Sequence, residues 1–188
     1  MAKQVWRPGN QLYPLPVVMV SCASSDGKVQ NIITVAWAGT ICSNPAMLSI
    51  SIRPSRYSYN LIKESGEFVV NLTTQDLAFA TDWCGVKSGR DINKFKAMNL
   101  TPIPSTVVKA PSIKESPISI ECKVKQIIPL GTHDMFIAEV VAVQADELYF
   151  DEKGAFNLQK ANPICYSHGK YYTLGKEIGR FGYSVKKK

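Results

Sequence analysis

The chain has 188 residues, of which 45% are hydrophobic and 20% are charged, and this composition predicts a soluble globular protein with a single domain over residues 1–188. Its apolar runs all fall short of the roughly 18 residues needed to cross a bilayer. The N-terminus also lacks the apolar core of a secretory signal. These features predict a cytoplasmic protein with no membrane partner.

Charge and cysteine content exclude several classes of partner and metal site. The formal net charge is +7, and three of these charges lie in the C-terminal segment 186–188, which we expect to be a solvated end. The remaining positive charge would suit anionic small molecules or an acidic redox partner. The sequence has no RRM, OB-fold or helix-turn-helix signature, so we expect no nucleic acid partner. Its five cysteines include no CxxC pair, which argues against a disulfide framework, a zinc site or an iron–sulfur cluster.

The first predicted strands lie near the N-terminus. Residues 17–22 are apolar and β-branched, as in a central strand, and residues 24–27 predict a hairpin turn. The partner strand runs over residues 29–37, where Asn31 and Thr34 interrupt an apolar series. Polar groups inside a central strand must be paired, either within the protein or by a ligand. Both alternatives stay open for these two side chains.

The next stretch combines an aromatic residue with a potential anion site. Trp37 lies among small residues, which predict a loop against which a planar ligand could lie, and residues 42–45 predict a polar turn. Residues 47–53 alternate between apolar and polar side chains, which predicts a strand with one buried face. A helix is predicted from an N-cap at Ser55 to Gly66. Arg53 and Arg56 lie beside this helix start, so the segment is either a phosphate site or a capped helix with two solvated arginines.

The rest of the chain predicts mostly strands. Residues 67–72 predict a strand, and a helix capped by Thr73 or Thr74, with Asp76 in its first turn, should end near Gly85. A polar loop over 86–91, a short helix over 92–98 and a proline-rich extended connection over 101–117 follow. Residues 118–130 and 133–143 predict a long hairpin, and residues 165–174 predict a shorter one. Many short strands with few helices indicate a β-barrel.

Motifs for several enzyme classes are missing from the sequence. GxGxxG, GxxxxGK[ST], HExxH and GxSxG do not occur, so a Rossmann dinucleotide site, a P-loop, a zinc protease and a hydrolase elbow are unsupported. His133 follows a predicted turn at the start of a strand, where a lone histidine is more often structural. The residues alone therefore indicate no protein group as catalytic and no metal ligand.

One long pattern resembles a known family. The residues NxxTxAWxGTxCSNPxMxSxSxRPSRYSxxLI, followed by FVVNL, resemble the flavin reductase-like family of FMN-binding split barrels, and within it most closely the flavoredoxin branch. Residues 88–95 are similar to the family's SG-x-D-x-x-KF loop. The resemblance covers nearly the whole chain from Pro16 onwards. It implies a mainly β protein with short helices, folded as a split β-barrel.

The resemblance also implies a set of FMN-binding residues. Those expected to line the flavin are Asn31, Thr34 and Trp37. Those expected to hold the ribityl chain and the phosphate are Ser51, Arg53, Ser55, Arg56 and Ser58. Those expected to come close to the cofactor or its ring are Lys94, His133 and Tyr166. Ser58 and Tyr166 stand where the family has threonine and phenylalanine, so the stacking at Tyr166 is open.

The implied function is electron transfer through bound FMN. Hydride and electron chemistry belongs to the flavin itself, and the protein supplies positioning and electrostatics. The electron donor would be NAD(P)H or a redox protein. Two alternatives remain: an NAD(P)H:flavin oxidoreductase that supplies reduced flavin, and a non-enzymatic flavin carrier. The resemblance further implies a homodimer with the flavin at the subunit interface.

Overall fold

The computed structural model describes residues 1–185, so the predicted solvated tail over 186–188 lies outside the described residues. Strands predominate, and their bounds are β1 Leu15–Pro16, β2 Val18–Ala23, β3 Gln30–Val35, β4 Ala38–Ser43, β5 Ala46–Ile52, β6 Glu67–Leu72, β7 Pro102–Ile103, β8 Ser112–Ile113, β9 Ile118–Pro129, β10 Asp134–Ala145, β11 Ile164–Ser167 and β12 Lys170–Thr173. The α-helices of the described chain are α1 Tyr57–Ser65, α2 Ala78–Val86 and α3 Lys94–Ala97. None of these helices is both long and apolar enough to span a bilayer.

Seven antiparallel strands form the main sheet, in the order β3-β2-β6-β9-β10-β5-β4. The predicted long hairpin is confirmed as β9 and β10, which have 12 residues each. The short predicted hairpin is confirmed as β11 and β12, which form a small second sheet with β1. In this order, strands that are distant in sequence lie next to one another, as β5 and β10 do.

The sheet curls around one core, so the predicted mainly β split barrel is confirmed. Ile33 of β3 and Ile50 of β5 come from opposite parts of the strand order, yet they belong to the same cluster of buried side chains. Ile62 of α1 packs into the same cluster. A second cluster covers the other face of β2 and β3, where Ile32 packs with the helix residue Cys84. Helices α1 and α2 therefore cover opposite faces of β3, and the site described below lies between them.

Two expectations about the region after β3 need correction. The predicted strand over 29–37 ends at Val35, and the following small residues form strand β4 instead of a loop. The turn is limited to Asn44 and Pro45, and β4 pairs antiparallel with β5. Small side chains at the edge of the sheet leave the backbone free to pair, and the sequence did not distinguish this from a loop.

The helix starts also differ from the sequence prediction. Arg56, not Ser55, is the N-cap residue of α1, and no side chain caps this helix. Helix α2 begins at Ala78 after Leu77, so neither Thr73 nor Thr74 is its N-cap and Asp76 precedes its first turn. Helix α3 is shorter than predicted. Gly66 ends α1 in the left-handed region at φ 70°, as predicted.

One carboxylate inside the molecule anchors the proline-rich connection. Glu121 of β9 is fully buried, and its carboxylate accepts hydrogen bonds from the backbone N–H groups of Thr106, Val107 and Val108. A carboxylate is rarely buried without partners, and here three donors satisfy it. The connection over 101–117 is thereby fixed to the sheet although it has little regular structure of its own.

Candidate functional site

Two adjoining cavities lie where β3, the start of α1 and the end of α2 meet. The smaller has a volume of about 110 Å³ and the larger about 610 Å³. Ile33, Arg56 and Gly85 line both. Every one of the eleven residues predicted from the resemblance lines at least one of these cavities. The fold thus brings together side chains spread over 136 positions of sequence, from Asn31 to Tyr166.

The small cavity contains five of the predicted residues, namely Asn31, Ser55, Arg56, Ser58 and Lys94. Asn31 and Ser58 are both buried, and the Asn31 amide nitrogen donates a hydrogen bond of 2.8 Å to the Ser58 hydroxyl. The polar side chain of Asn31, which interrupts the apolar series of β3, therefore has a partner inside the protein. It also ties the wall of the barrel to the first turn of α1.

Gly89, in the loop after α2, forms part of the wall of the small cavity. A Cβ atom on Gly89 would lie only 2.0 Å from the side-chain oxygen of Asn31, so a larger residue does not fit without displacement. The neighbouring Ser88 also lines the cavity, and both belong to the loop similar to the family's SG motif. The loop can therefore pack against β3 only because it has glycine at this position.

The small cavity is rich in positive charge. It is lined by the cationic side chains Arg56, Lys87, Arg90 and Lys94, and within the described chain no carboxylate lines it. Arg90 donates a hydrogen bond of 3.3 Å to the carbonyl of Ser55, and its guanidinium lies 5.6 Å from the centre of the Tyr57 ring. The start of α1 adds backbone N–H groups and the positive end of the helix dipole. These features are those of a site for a phosphate-sized anion.

The large cavity has an aromatic wall. The ring of Trp37 lies nearly parallel to that of His133, at an interplanar angle of 11° and a centroid distance of 6.3 Å. Burial lowers the pKa of His133, and the positive charges of Arg53 and Arg56 lower it further. The imidazole is therefore neutral near pH 7, and its Nδ1 lies 2.9 Å from the Thr132 hydroxyl. A planar, partly apolar ligand matches this wall.

The predicted residues are divided between the cavities in a way that the sequence did not reveal. Ser51 and Arg53 line the large cavity only, whereas Ser55 and Ser58 line the small one only. Arg56 lines both, so the two arginines do not share the small cavity. Thr34 lines the large cavity, and its hydroxyl donates to the carbonyl of Thr81.

Residues missed by the sequence prediction complete both walls. In the large cavity these include Tyr171 of β12 and Asp82 of α2, joined by a hydrogen bond of 2.8 Å from the tyrosine hydroxyl. Tyr166 lies opposite Tyr171 in the β11–β12 pairing. The two-residue turn at His168-Gly169 would have revealed this pairing, because turn length sets hairpin register. No sequence signal identifies Asp82, since α2 approaches the hairpin only in the folded chain.

Comparisons with known proteins identify the family of this chain. Residues 10–175 match the model of the family described as flavin reductase like domain. An uncharacterised protein of Archaeoglobus fulgidus is 35% identical over 162 residues, which cover 86% of this chain and 89% of that protein. Flavoredoxin of Desulfovibrio vulgaris (Miyazaki F) superposes with a TM-score of 0.90 at 30% identity, covering 98% of this chain and all of the other.

A second solved structure, flavoredoxin from Methanosarcina acetivorans, superposes with a TM-score of 0.86 at 26% identity, with 98% of this chain and all of the other covered. The family match extends over most of the chain, and it includes the strands, helices and loops that line both cavities. The chain belongs to the flavin reductase-like domain family, and its function is of the flavin-binding redox type.

Proposed function

We propose that this protein binds FMN and passes electrons through it. The observation that carries the proposal is the pairing of a small, cation-rich cavity with a large cavity that has an aromatic wall, joined at Arg56. One phosphate-sized site and no dinucleotide motif favour FMN over FAD. The two solved flavoredoxins that share this fold support the same assignment.

Different residues of the two cavities suit the phosphate, the ribityl chain and the ring system of FMN. Arg56, Ser55 and Ser58 would hold the phosphate, together with Arg90 from the SG loop. The ribityl chain would pass Arg56, and the ring system would occupy the large cavity with Trp37 on its wall. When bound, the flavin supplies hydride and single-electron chemistry. No protein nucleophile, base or metal is needed for it.

The chain's own residues would tune the redox chemistry by their charge. Arg53 and Arg56 line the large cavity, where Asp82 is the one acidic side chain of the described residues. A positive potential favours a bound group that gains negative charge on reduction. The neutral His133 imidazole adds a hydrogen-bonding group without a formal charge. We therefore expect the reduced state to be stabilised relative to free flavin.

Flavin analysis and rapid kinetics test this proposal. Acid release followed by chromatography should give FMN as the sole flavin, and FAD alone would contradict the proposal. Stopped-flow mixing with NADH and NADPH should then show whether the flavin bleaches quickly, as in an NAD(P)H:flavin oxidoreductase. Slow bleaching with fast reoxidation by a protein partner would identify an electron-transfer protein of flavoredoxin type. An unreactive flavin that exchanges freely would identify a carrier.

We also propose that the protein is a homodimer whose contact surface adjoins the flavin site. Helix α2 exposes Phe79 and Val86, at 75% and 69% of their surface, on the side that also carries Asp82. Leu174, which follows β12, is 55% exposed. Large apolar side chains so close to a cavity are typical of a contact surface, and a second copy of this chain would cover them.

The cysteines support a reducing compartment, and we propose that this is the cytoplasm. All five are free thiols, and Cys22, Cys84 and Cys122 are completely buried. Burial raises the pKa of Cys22 and Cys122 to about 12, so both remain neutral thiols at physiological pH. A protein built around unpaired thiols suits an environment that keeps them reduced.

A further inference from the structure

Lys94 is a buried cation with an unusual set of neighbours. Its surface is only 4% exposed, yet no carboxylate lines the cavity beside it in the described part of the chain. Lysine is rarely buried unless an opposite charge accompanies it. The usual explanation for a buried ammonium group, an internal ion pair, is therefore missing among residues 1–185.

The hydrogen bonds of Lys94 suit a neutral amine. Its Nζ donates to the carbonyl of Ile32 at 2.7 Å and to the carbonyl of Cys84 at 2.6 Å. A neutral amine has two N–H groups, and these two carbonyls accept both. An ammonium group has a third N–H, for which the described residues supply no hydrogen bond. An anion in the small cavity, which Lys94 also lines, would accept it.

Among the groups around Lys94, only two thiols could offset the positive charge of its ammonium form. Burial has the largest effect and lowers the pKa of Lys94 from its ordinary value of 10.5. The thiols of Cys84 and Cys22 act to raise this pKa, and the positive charge of Arg56 lowers it. Burial raises the pKa of Cys22 to about 12 and that of Cys84 to about 11, so both thiols are uncharged below these values. The titratable or charged groups that face Lys94 or share its cavity are Cys22 of β2, Cys84 of α2, Arg56 before α1, Tyr57 of α1, and Lys87 and Arg90 of the loop.

We propose that Lys94 takes up a proton from solvent when a doubly charged anion fills the small cavity, so that the site is fully cationic only when it is occupied. This inference rests on the proposed function only in identifying the anion as the FMN phosphate. The reason is electrostatic, because an anion between Arg56 and Lys94 stabilises the ammonium form that burial disfavours. The two hydrogen bonds of Lys94 connect β3 with the end of α2 and hold its Nζ atom in place. The charge gained on protonation therefore lies at a fixed position beside the cavity.

The affinity of the small cavity for an anion should depend on pH. The pKa of Lys94 is lowered in the empty protein and is raised again by the bound anion. Between these two values each bound anion takes up part of a proton, up to one. The affinity for the anion should therefore fall as pH rises, by up to about tenfold per pH unit in that window. Above the pKa of the occupied state the dependence should level off.

Isothermal titration calorimetry of the full-length, flavin-free chain tests the inference. Sulfate is the first probe, since it stays doubly charged throughout the pH range, and FMN is the second, used well above its phosphate pKa of about 6. Titrations in buffers with different ionisation enthalpies report the number of protons taken up. We expect net uptake for both probes in the wild-type chain. Binding of FMN without proton uptake at any pH up to about 10.5 would overturn the inference.

Variants identify the proton acceptor. Lys94→Arg keeps a permanent positive charge, so it should bind anions while losing the proton uptake. Lys94→Met should lose the uptake and bind sulfate at least tenfold more weakly. Lys96→Arg, on the exposed side of the same short helix, is the matched control and should behave like the wild type. Unchanged proton uptake in a folded Lys94→Met chain would place the acceptor elsewhere and overturn the inference.

The two probes separate this inference from the proposed function. Sulfate binding with proton uptake, combined with no binding of FMN, would leave the inference standing and remove FMN as the ligand. FMN binding without proton uptake would do the opposite. A chain that binds neither probe would overturn both proposals.

Discussion

Arg56 alone among the eleven predicted residues lines both cavities, and this position makes it the most informative residue to change. We expect Arg56→Ala to weaken FMN binding by about ten- to a hundredfold, because one charge-assisted hydrogen bond contributes about 1.5–3 kcal/mol. Riboflavin, which has no phosphate, should lose little affinity. Fluorescence quenching during titration of the flavin-free chain measures both. Arg180→Ala, an exposed arginine near the C-terminus, is the control.

Equal losses for FMN and riboflavin would mean that Arg56 supports the fold and not the phosphate. Unchanged affinity for both flavins would place Arg56 in solvent. The second result would favour the alternative that the sequence left open, a helix start with solvated arginines.

Gly89 tests how tightly the loop after α2 packs. Gly89→Ala places a methyl group against Asn31, which must shift and strain its hydrogen bond to Ser58. We expect the free energy of unfolding to fall by about 1–3 kcal/mol, as for other overpacked sites. Gly39→Ala is the matched control, since a Cβ there meets no atom within 4 Å. Chemical denaturation measures both, and equal stability of the two variants would contradict this packing.

The resemblance led to eleven residues that the fold places around two adjoining cavities, and their role in binding FMN stays a prediction. Eight of the eleven lie in the long pattern from Asn31 to Leu72. The sequence did not show that Ser51 and Arg53 line only the large cavity whereas Ser55 lines only the small one, because this division depends on how the chain turns between β5 and α1. Tyr171 and Asp82 were missed since their contact joins elements that are distant in sequence.

Glu121 shows how a single side chain holds an irregular segment in place. Burial raises the pKa of this carboxyl, but hydrogen bonds from the N–H groups of Thr106, Val107 and Val108 outweigh it and lower the pKa below 4.5. A lowered pKa contributes stability that is fully present above about 4.5 and is lost as pH falls through the folded-state value. The connection over 101–117 should therefore loosen in acid.

We expect Glu121→Gln to reduce the free energy of unfolding at pH 7 by about 1.5–3 kcal/mol, because charge-assisted hydrogen bonds become neutral ones and one acceptor oxygen is lost. The variant should also lose part of the wild type's acid sensitivity. Denaturation at several pH values measures both effects. Glu152→Gln, at an exposed position, is the control. A wild-type pH profile that Glu121→Gln leaves unchanged would show that this carboxylate is not the group responsible.

Most elements followed from alternation and turn residues, and the errors have physical causes. The hairpin of β9 and β10 was predictable because its side chains alternate and glycine marks its turn. Strand β4 was not, since its small residues resemble a loop and only pairing with β5 makes it a strand. The starts of α1 and α2 were misplaced because neither helix has the side-chain cap that a serine or threonine at this point predicts.

The whole molecule leaves one helix face that a dimer would cover. Phe79→Glu places a charge on the exposed apolar side of α2, so it should shift the assembly from dimer to monomer and lower FMN occupancy. Sedimentation velocity and the ratio of flavin to protein absorbance measure these changes. Leu148→Glu is the control, since Leu148 is similarly exposed, at 79% against 75% for Phe79. A wild-type monomer that holds stoichiometric FMN would contradict the proposed dimer.

The pairing of β5 with β10 also determines when the protein can acquire its ligand during synthesis. Met47 lies opposite Glu139, so the two strands that meet there leave the ribosome far apart in time. Until β10 has emerged, β5 can pair only with β4. The cavity wall that includes Ser51 is therefore not yet joined to the rest of the barrel. His133 emerges just before β10, and Tyr166 emerges after it. Contacts this distant in sequence form slowly, so we expect flavin loading to follow the completion of most of the chain.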